Sequence, residues 1–244
     1  MKESIIIIDS SKRNTTLYPV NNSFKYNTNK TYSNPTKISL LSAIICNSQY
    51  VINSNNNLFN LTYSSTLYTA TIPQSNYTPS SLSTALQTAL NGLSVPSTTF
   101  TVSVNLNTMQ FTITSTNAVV YNFSLNTQLS QILGFQVTNS TSTTSITSTN
   151  TYTINTTRYY KLFIREFNNN YDTNISNSFN FLILNNVNSG EYLYLTDINN
   201  VNNTHEINIR NININTLTIE LRDEWDNLVL LNGNDFVLIF KIYE

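Results

Sequence analysis

The sequence predicts a mainly β chain, an antiparallel sandwich interrupted by a small β-rich unit. Three observations predict it. Short apolar runs rich in Ile, Val, Thr, Tyr and Phe recur between Asn/Ser clusters along all 244 residues, the pattern of strands separated by turns. Apolar residues fall at helical spacing in only two places, near 78–91 and near 127–133. The segment Asn105-Leu-Asn-Thr108 sits between two alternating runs and reads as a hairpin turn.

Taken in order, strands are expected near 4–9, 36–46, 57–63, 67–72, 99–104, 109–114 and 119–124. A second series is expected near 159–166, 179–184, 190–195, 206–210, 216–222 and 235–243. Thr78-Pro79 supplies an N-cap and a first-turn proline; Leu82, Leu86, Ala89 and Leu90 follow at helical spacing, and Asn91-Gly92 ends that helix. A shorter helical turn over 127–133 presents Leu129, Ile132 and Leu133 and stops at Gly134. The Ser/Thr/Asn tract Thr138–Asn150 reads as a mobile loop or linker. The chain therefore divides into an N-terminal arm with the first part of the sandwich (1–66), an inserted domain with its linker (67–151) and the remainder of the sandwich (152–244). About eight or nine strands fall outside the insertion, enough for a single jelly roll. Two sandwiches in tandem around the Ser/Thr tract are the alternative.

Charge is distributed unusually. Between Lys37 and Arg158 there is no Asp, Glu, Lys, Arg or His. Only 10% of residues are charged, against roughly 25% in ordinary soluble domains. Asparagine fills about one position in six; an AT-rich coding bias would enrich Asn, but it would enrich Lys equally, and Lys is scarce. Residues 1–37 carry six basic and two acidic side chains, and residues 158–244 carry six basic and eleven acidic ones. The two ends can therefore attract each other, within one chain or between copies. General acid–base catalysis, hard-cation binding and phosphate handling all need ionisable or strongly polar groups at fixed positions, so half of the chain is closed to them. A buried charge is costly unless paired, so a surface without charges suits packing against other protein.

The candidate chemical residues are few. His205, the only histidine, stands beside Glu206 at a strand entrance and reads as a surface or hydrogen-bonding residue; no Ser-His-Asp arrangement is visible. Asp223, Glu224 and Asp226, with Asp197 and Asp235 elsewhere, offer carboxylates, but Arg222-Asp-Glu-Trp-Asp-Asn227 lacks the spacing and glycine of a calcium loop; it reads as a solvated turn. Trp225 in that turn either anchors a neighbour or packs over the sandwich end. Cys46 is the sole cysteine, which excludes a disulfide framework and reads as a buried thiol. There is no Gly-rich phosphate loop. The basic residues Lys2, Lys12, Arg13, Lys25, Lys30 and Lys37 are too dispersed for a nucleic-acid footprint. The N-terminal apolar run is too short for a signal peptide, and no stretch is long enough to span a bilayer. We expect no catalytic, metal or cofactor-binding residues, and assembly in a cytosolic compartment.

Three groups of motifs carry a family resemblance. The first is Ile7-Ile-Asp-Ser-Ser-Lys-Arg13, then Pro19-Val-Asn-Asn-Ser-Phe24, Lys37-Ile-Ser-Leu-Leu-Ser-Ala-Ile-Ile45 and Tyr50-Val-Ile-Asn53. The second is Tyr68-Thr-Ala-Thr-Ile-Pro73, Asn76-Tyr-Thr78, the helix through Asn91 and Ile132-Leu-Gly-Phe135. The third is the closing pair Leu217-Thr-Ile-Glu-Leu-Arg-Asp223 and Phe236-Val-Leu-Ile-Phe-Lys-Ile242, joined through Asn232-Gly233. In order and character this layout resembles the minor capsid or penton proteins of virophages, polinton-like viruses and giant DNA viruses. It departs from them at Cys46-Asn47, where a proline often stands. The resemblance implies a jelly roll with an inserted domain, a homopentamer plugging each icosahedral vertex of the virion and touching the major capsid protein. It also implies a basic arm reaching beneath the shell and an outward insertion open to a host receptor. The competing reading is a viral attachment or carbohydrate-binding protein; an enzyme is the third and has little to work with.

Overall fold

The computed structural model describes residues 2–155, 157–170, 180–196, 206–209 and 213–244. In chain order the strands are Glu3–Asp9 (β1), Ser23–Ser33 (β2), Lys37–Cys46 (β3), Leu58–Tyr63 (β4), Thr66–Thr71 (β5), Phe100–Asn105 (β6) and Gln110–Tyr121 (β7). They continue as Thr143–Thr147 (β8), Tyr159–Ile164 (β9), Phe181–Leu184 (β10), Tyr192–Thr196 (β11), Glu206–Asn208 (β12), Asn213–Arg222 (β13) and Phe236–Tyr243 (β14). Among the described residues the α-helices are Pro79–Asn91 (α1) and Thr127–Ile132 (α2). The fold is mainly β, its described strands forming three antiparallel sheets.

Two compact units divide the chain: Met1–Gln49 with Thr157–Glu244, and Tyr50–Thr156. In the first unit, one sheet runs β1-β14-β3-β11, with β12 also on β3, and the other runs β10-β9-β13-β2. Alternate residues of both sheets turn into one shared core: Ile6 and Ile8 from β1, Leu238 and Phe240 from β14, Leu162 from β9, Ile219 and Leu221 from β13. Rings meet across it, Phe24 with Phe236 and Phe181 with Phe240, at centroid separations of 6.0 and 5.7 Å. Burying such side chains is worth about 1.5–3 kcal/mol each.

The second unit is a sheet ordered β5-β4-β7-β6, with β8 also on β7. Leu82, Leu86 and Leu90, four residues apart, form the buried face of α1. Thr78 caps the helix, accepting from the Ser81 amide while the Ser81 hydroxyl accepts from the Thr78 amide, and Pro79 opens the first turn. The core centres on Phe59, Tyr121, Phe123 and Phe135, with Phe123 and Phe135 stacked at 4.4 Å. Gly134 follows α2 at φ +81°; a side chain there would run into the Asn150 carbonyl, so only glycine fits.

Four expectations change. The N-terminal segment is no free arm: β1 lies along β14, and residues 23–33, assigned no strand from sequence, form the eleven-residue β2 on β13. Its alternation is hidden by exposed Lys25 and Asn27, and by a register shift near Asn29, whose φ is +58°. The Ser/Thr tract is not simply a linker: β8 pairs with β7, Thr112 and Thr147 sharing a hydroxyl hydrogen bond of 2.9 Å. β-branched threonine suits a half-buried strand. The runs 109–114 and 119–124 largely merge into the single strand β7. Finally, the 57–63 strand, expected in the sandwich, pairs with β5 and β7 in the second unit, which begins at Tyr50 rather than 67.

Candidate functional site

The acidic turn after β13 gathers Asp223, Glu224 and Asp226 beside Arg158 and Lys161. Asp223 is fully buried; its Oδ1 accepts from the amides of Trp225 and Asn227, both at 2.9 Å, while Oδ2 faces the side-chain amides of Gln49 and Asn227 at 3.4 Å. Burial pushes its carboxyl above the ordinary aspartate range, although these donors pull the other way. The neighbouring carboxylates point elsewhere: Glu224 pairs with Arg158 at 2.6 Å and Asp226 with Lys161 at 2.7 Å. Lys161 also donates to the Glu224 carbonyl at 3.2 Å, and Trp225 is half-buried. This arrangement pins a turn. It leaves no convergent set of oxygens for a cation, and among the described residues no three His, Cys, Asp or Glu side chains come together.

The turn also marks where the chain leaves the first unit and re-enters it. Gln49, the last residue before the second unit, reaches Asp223, and Thr157, the first residue after it, accepts from the Glu224 amide at 3.3 Å. The two ends of the long excursion are thus anchored on adjacent residues.

The other predicted residues scatter. His205 and Asp197 lie outside the described residues. Cys46 is buried at the end of β3, its sulfur 3.9 Å from the Gly190 carbonyl. Asp235 and Arg13 pair at 2.9 Å, and Arg13 also donates to the carbonyls of Ser10, Tyr18 and Pro19, folding the β1–β2 loop around its guanidinium. Lys37 pairs with Glu206 at 2.9 Å, Lys241 with Glu3 at 3.1 Å and Lys2 with Glu244 at 3.8 Å. The opposite-signed ends of the sequence therefore meet within one chain. Arg222 and Arg165 share Glu220 on the outer face of β13, Arg222 lying over the Phe163 ring.

The second unit lies wholly inside the charge-free stretch. Sheet edges normally carry lysine or proline to repel foreign strands; here neutral side chains do that work. Along the free edge of β6, Asn91 of α1 donates to the Phe100 carbonyl and accepts from its amide, both at 2.8 Å, while Gln87, one turn earlier, accepts from the Val102 amide at 2.9 Å. On β8, the Thr143 hydroxyl donates to the Ser145 carbonyl at 2.9 Å and accepts from its amide at 3.2 Å. None of these roles was visible in the sequence, where Asn and Thr read as turn and linker. The only local hint was that Gln87 and Asn91 stand four apart on the helix.

No family model and no curated protein matches the chain. Among solved structures, the mavirus penton protein is similar over 100% of this chain and 99% of its own, at 13% identity and a TM-score of 0.47. Domains D1-D2-D3 of the flagellar cap protein FliD from Escherichia coli cover 98% of this chain and 56% of theirs, at 11% identity and a TM-score of 0.20. Scores this low assign neither fold nor activity, so the functional reading rests on the residues.

Proposed function

We propose that this chain is a structural virion protein: a penton or minor capsid subunit that forms pentamers at icosahedral vertices and meets the major capsid protein. The observation that carries the reading is where the charge goes. Eight ion pairs close inside the first unit among the described residues, and the second unit holds no ionic side chain at all. Repeated contacts in a closed ring are heterologous, each subunit using two different surfaces. Neutral surfaces avoid like-charge juxtaposition and charge desolvation at every such contact.

The order of capsid-like motifs in the sequence supports the same reading. So does the strand pairing of the first unit: β1 with β14, β2 with β13, β3 with β11 and β9 with β10. Such nested pairs are what an eight-stranded hairpin gives when it rolls into a jelly roll. The excursion between Gln49 and Thr157 is then an insertion between the third and fourth strands of that roll, β3 and β9. The protein acts by assembly and carries out no catalysis.

Native mass measurement of the purified protein tests the proposal. A species of five subunits, or a concentration-dependent ring that joins the major capsid protein, is expected; a strict monomer at high concentration with no capsid association would overturn it. One feature favours the attachment reading as an added role of the second unit. Ser103, Thr112 and Thr147, and beside them Thr101, Thr114 and Ser145, stand in cross-strand rows on β6, β7 and β8. Such hydroxyl rows can hydrogen-bond a neutral glycan, and binding on a glycan array that is lost in Thr112→Val/Thr114→Val checks it.

A further inference from the structure

The sheet β1-β14-β3-β11 carries an apolar stripe across its outer face, bordered by a few locally engaged charges. By register, Ile7 lies beside Ile239, and Val237 beside Ile44, which in turn neighbours Tyr194. Tyr192 completes the stripe, its ring centroid 6.3 Å from that of Tyr194. Ile7 is 57% exposed and Tyr194 66%. The charges of this face border the stripe and are engaged locally: Lys241 with Glu3, Lys37 with Glu206, and Asp9, beside Val237 in register, accepting from the Ser11 amide at 2.9 Å.

The sequence of these strands points the same way. Ile5-Ile-Ile-Ile8 and Val237-Leu-Ile-Phe240 are continuous apolar runs, the composition of strands covered on both faces. One face of each is covered by the shared core of the first unit, with Ile6, Ile8, Leu238 and Phe240 inside it. The other face is written as an interior and left outside.

We infer that this stripe is a subunit contact, and that its occupant is the uncharged surface of the second unit of another copy of the chain; the inference rests on the vertex-protein reading and names its interface. The choice of occupant follows from charge. A standard interface takes roughly 20–30 residues a side, and an ordinary surface, with about a quarter of its residues charged, would bring about five to seven charges towards a stripe whose bordering charges are already engaged within the chain. The second unit brings none, whichever part of its surface is used. Two different surfaces meeting head to tail also satisfy the requirement for a ring.

The test compares the wild-type chain with Ile7→Lys/Tyr194→Lys, two substitutions at exposed positions, and with the control Lys25→Glu on β2 of the opposite sheet. Native mass across a concentration series is read out, with Trp225 fluorescence confirming that each variant is folded. The double variant should need at least about 100-fold more protein to assemble, with the control unchanged. A folded double variant that assembles at the wild-type concentration overturns the inference and leaves the pentamer intact. Loss of major capsid protein binding with assembly unchanged also overturns it, because the stripe would then serve a foreign partner. A wild-type chain that never assembles overturns the vertex reading itself.

Discussion

Excising the second unit is the most direct test of how this chain is organised. Gln49 and Thr157 are held by the adjacent residues Asp223 and Glu224, so a short Gly/Ser bridge can replace Tyr50–Thr156. The buried residues of the first core all come from residues 1–49 and 157–244, and those of the other core from residues 50–156. No core methylene of the first unit is lost, so the large-to-small cost of about 2–5 kcal/mol per site does not arise. What changes is loop closure, which moves by only about 0.6 kcal/mol per doubling of loop length. The expected shift in the first unit's unfolding free energy is therefore within about 1 kcal/mol, in the favourable direction if the bridge is short. Trp225, the only tryptophan, lies in the turn beside the junction, so urea unfolding followed by its fluorescence reads the right unit. A cooperative transition at a similar midpoint is expected. An excised protein that aggregates, or that unfolds without cooperativity, would refute the claim of independent cores.

Three further outcomes follow from particular residues. Asn91→Ala strips two backbone groups of Phe100 of their partners; if they stay dry the cost is about 1–3 kcal/mol each, measurable as a lower thermal midpoint of the second unit and as new edge-to-edge association by light scattering. Gly134→Ala places a methyl against the Asn150 carbonyl at positive φ, and should destabilise that unit by more than the ~1 kcal/mol of a tolerated glycine change, checked by chemical denaturation. Asp223→Asn should flatten part of the pH dependence of the first unit. Burial raises this carboxyl's pKa, so the folded state holds its proton more tightly than the unfolded chain, and stability falls as pH rises from the ordinary aspartate value through the folded one. With Asn in place, that decline should vanish from denaturation midpoints compared between mildly acidic and neutral pH; an unchanged profile would refute it.

Much of the fold could be read from the sequence because alternation and helical spacing are local signals. The strands β1, β3, β6, β13 and β14 and the helix α1, with its Thr78 cap, all follow from such patterns. What was hidden needed tertiary information. β2 has few apolar residues and a shifted register, so its Lys25 and Lys30 looked like a free basic arm. β8 consists largely of hydroxyl residues and becomes a strand only because β7 offers an edge. The charge-free stretch was plain, but the stripe on the outer sheet was not: four isoleucines in succession look equally buried until the fold shows which two have no cover. The edge-closing work of Gln87, Asn91 and Thr143 is also invisible in a chain where such residues are everywhere.

Closing a sheet edge with amides and hydroxyls instead of lysines has a thermodynamic consequence. Tyrosines are the main groups in the second unit that could exchange a proton, and those with shifted values, Tyr77 and Tyr121, are raised. From about pH 2 to 9 its folding then takes up and releases essentially no protons. Dissolved salt has no ionic contact there to weaken. A module built this way lacks the ionic routes by which acid and dilute salt usually change a domain's stability.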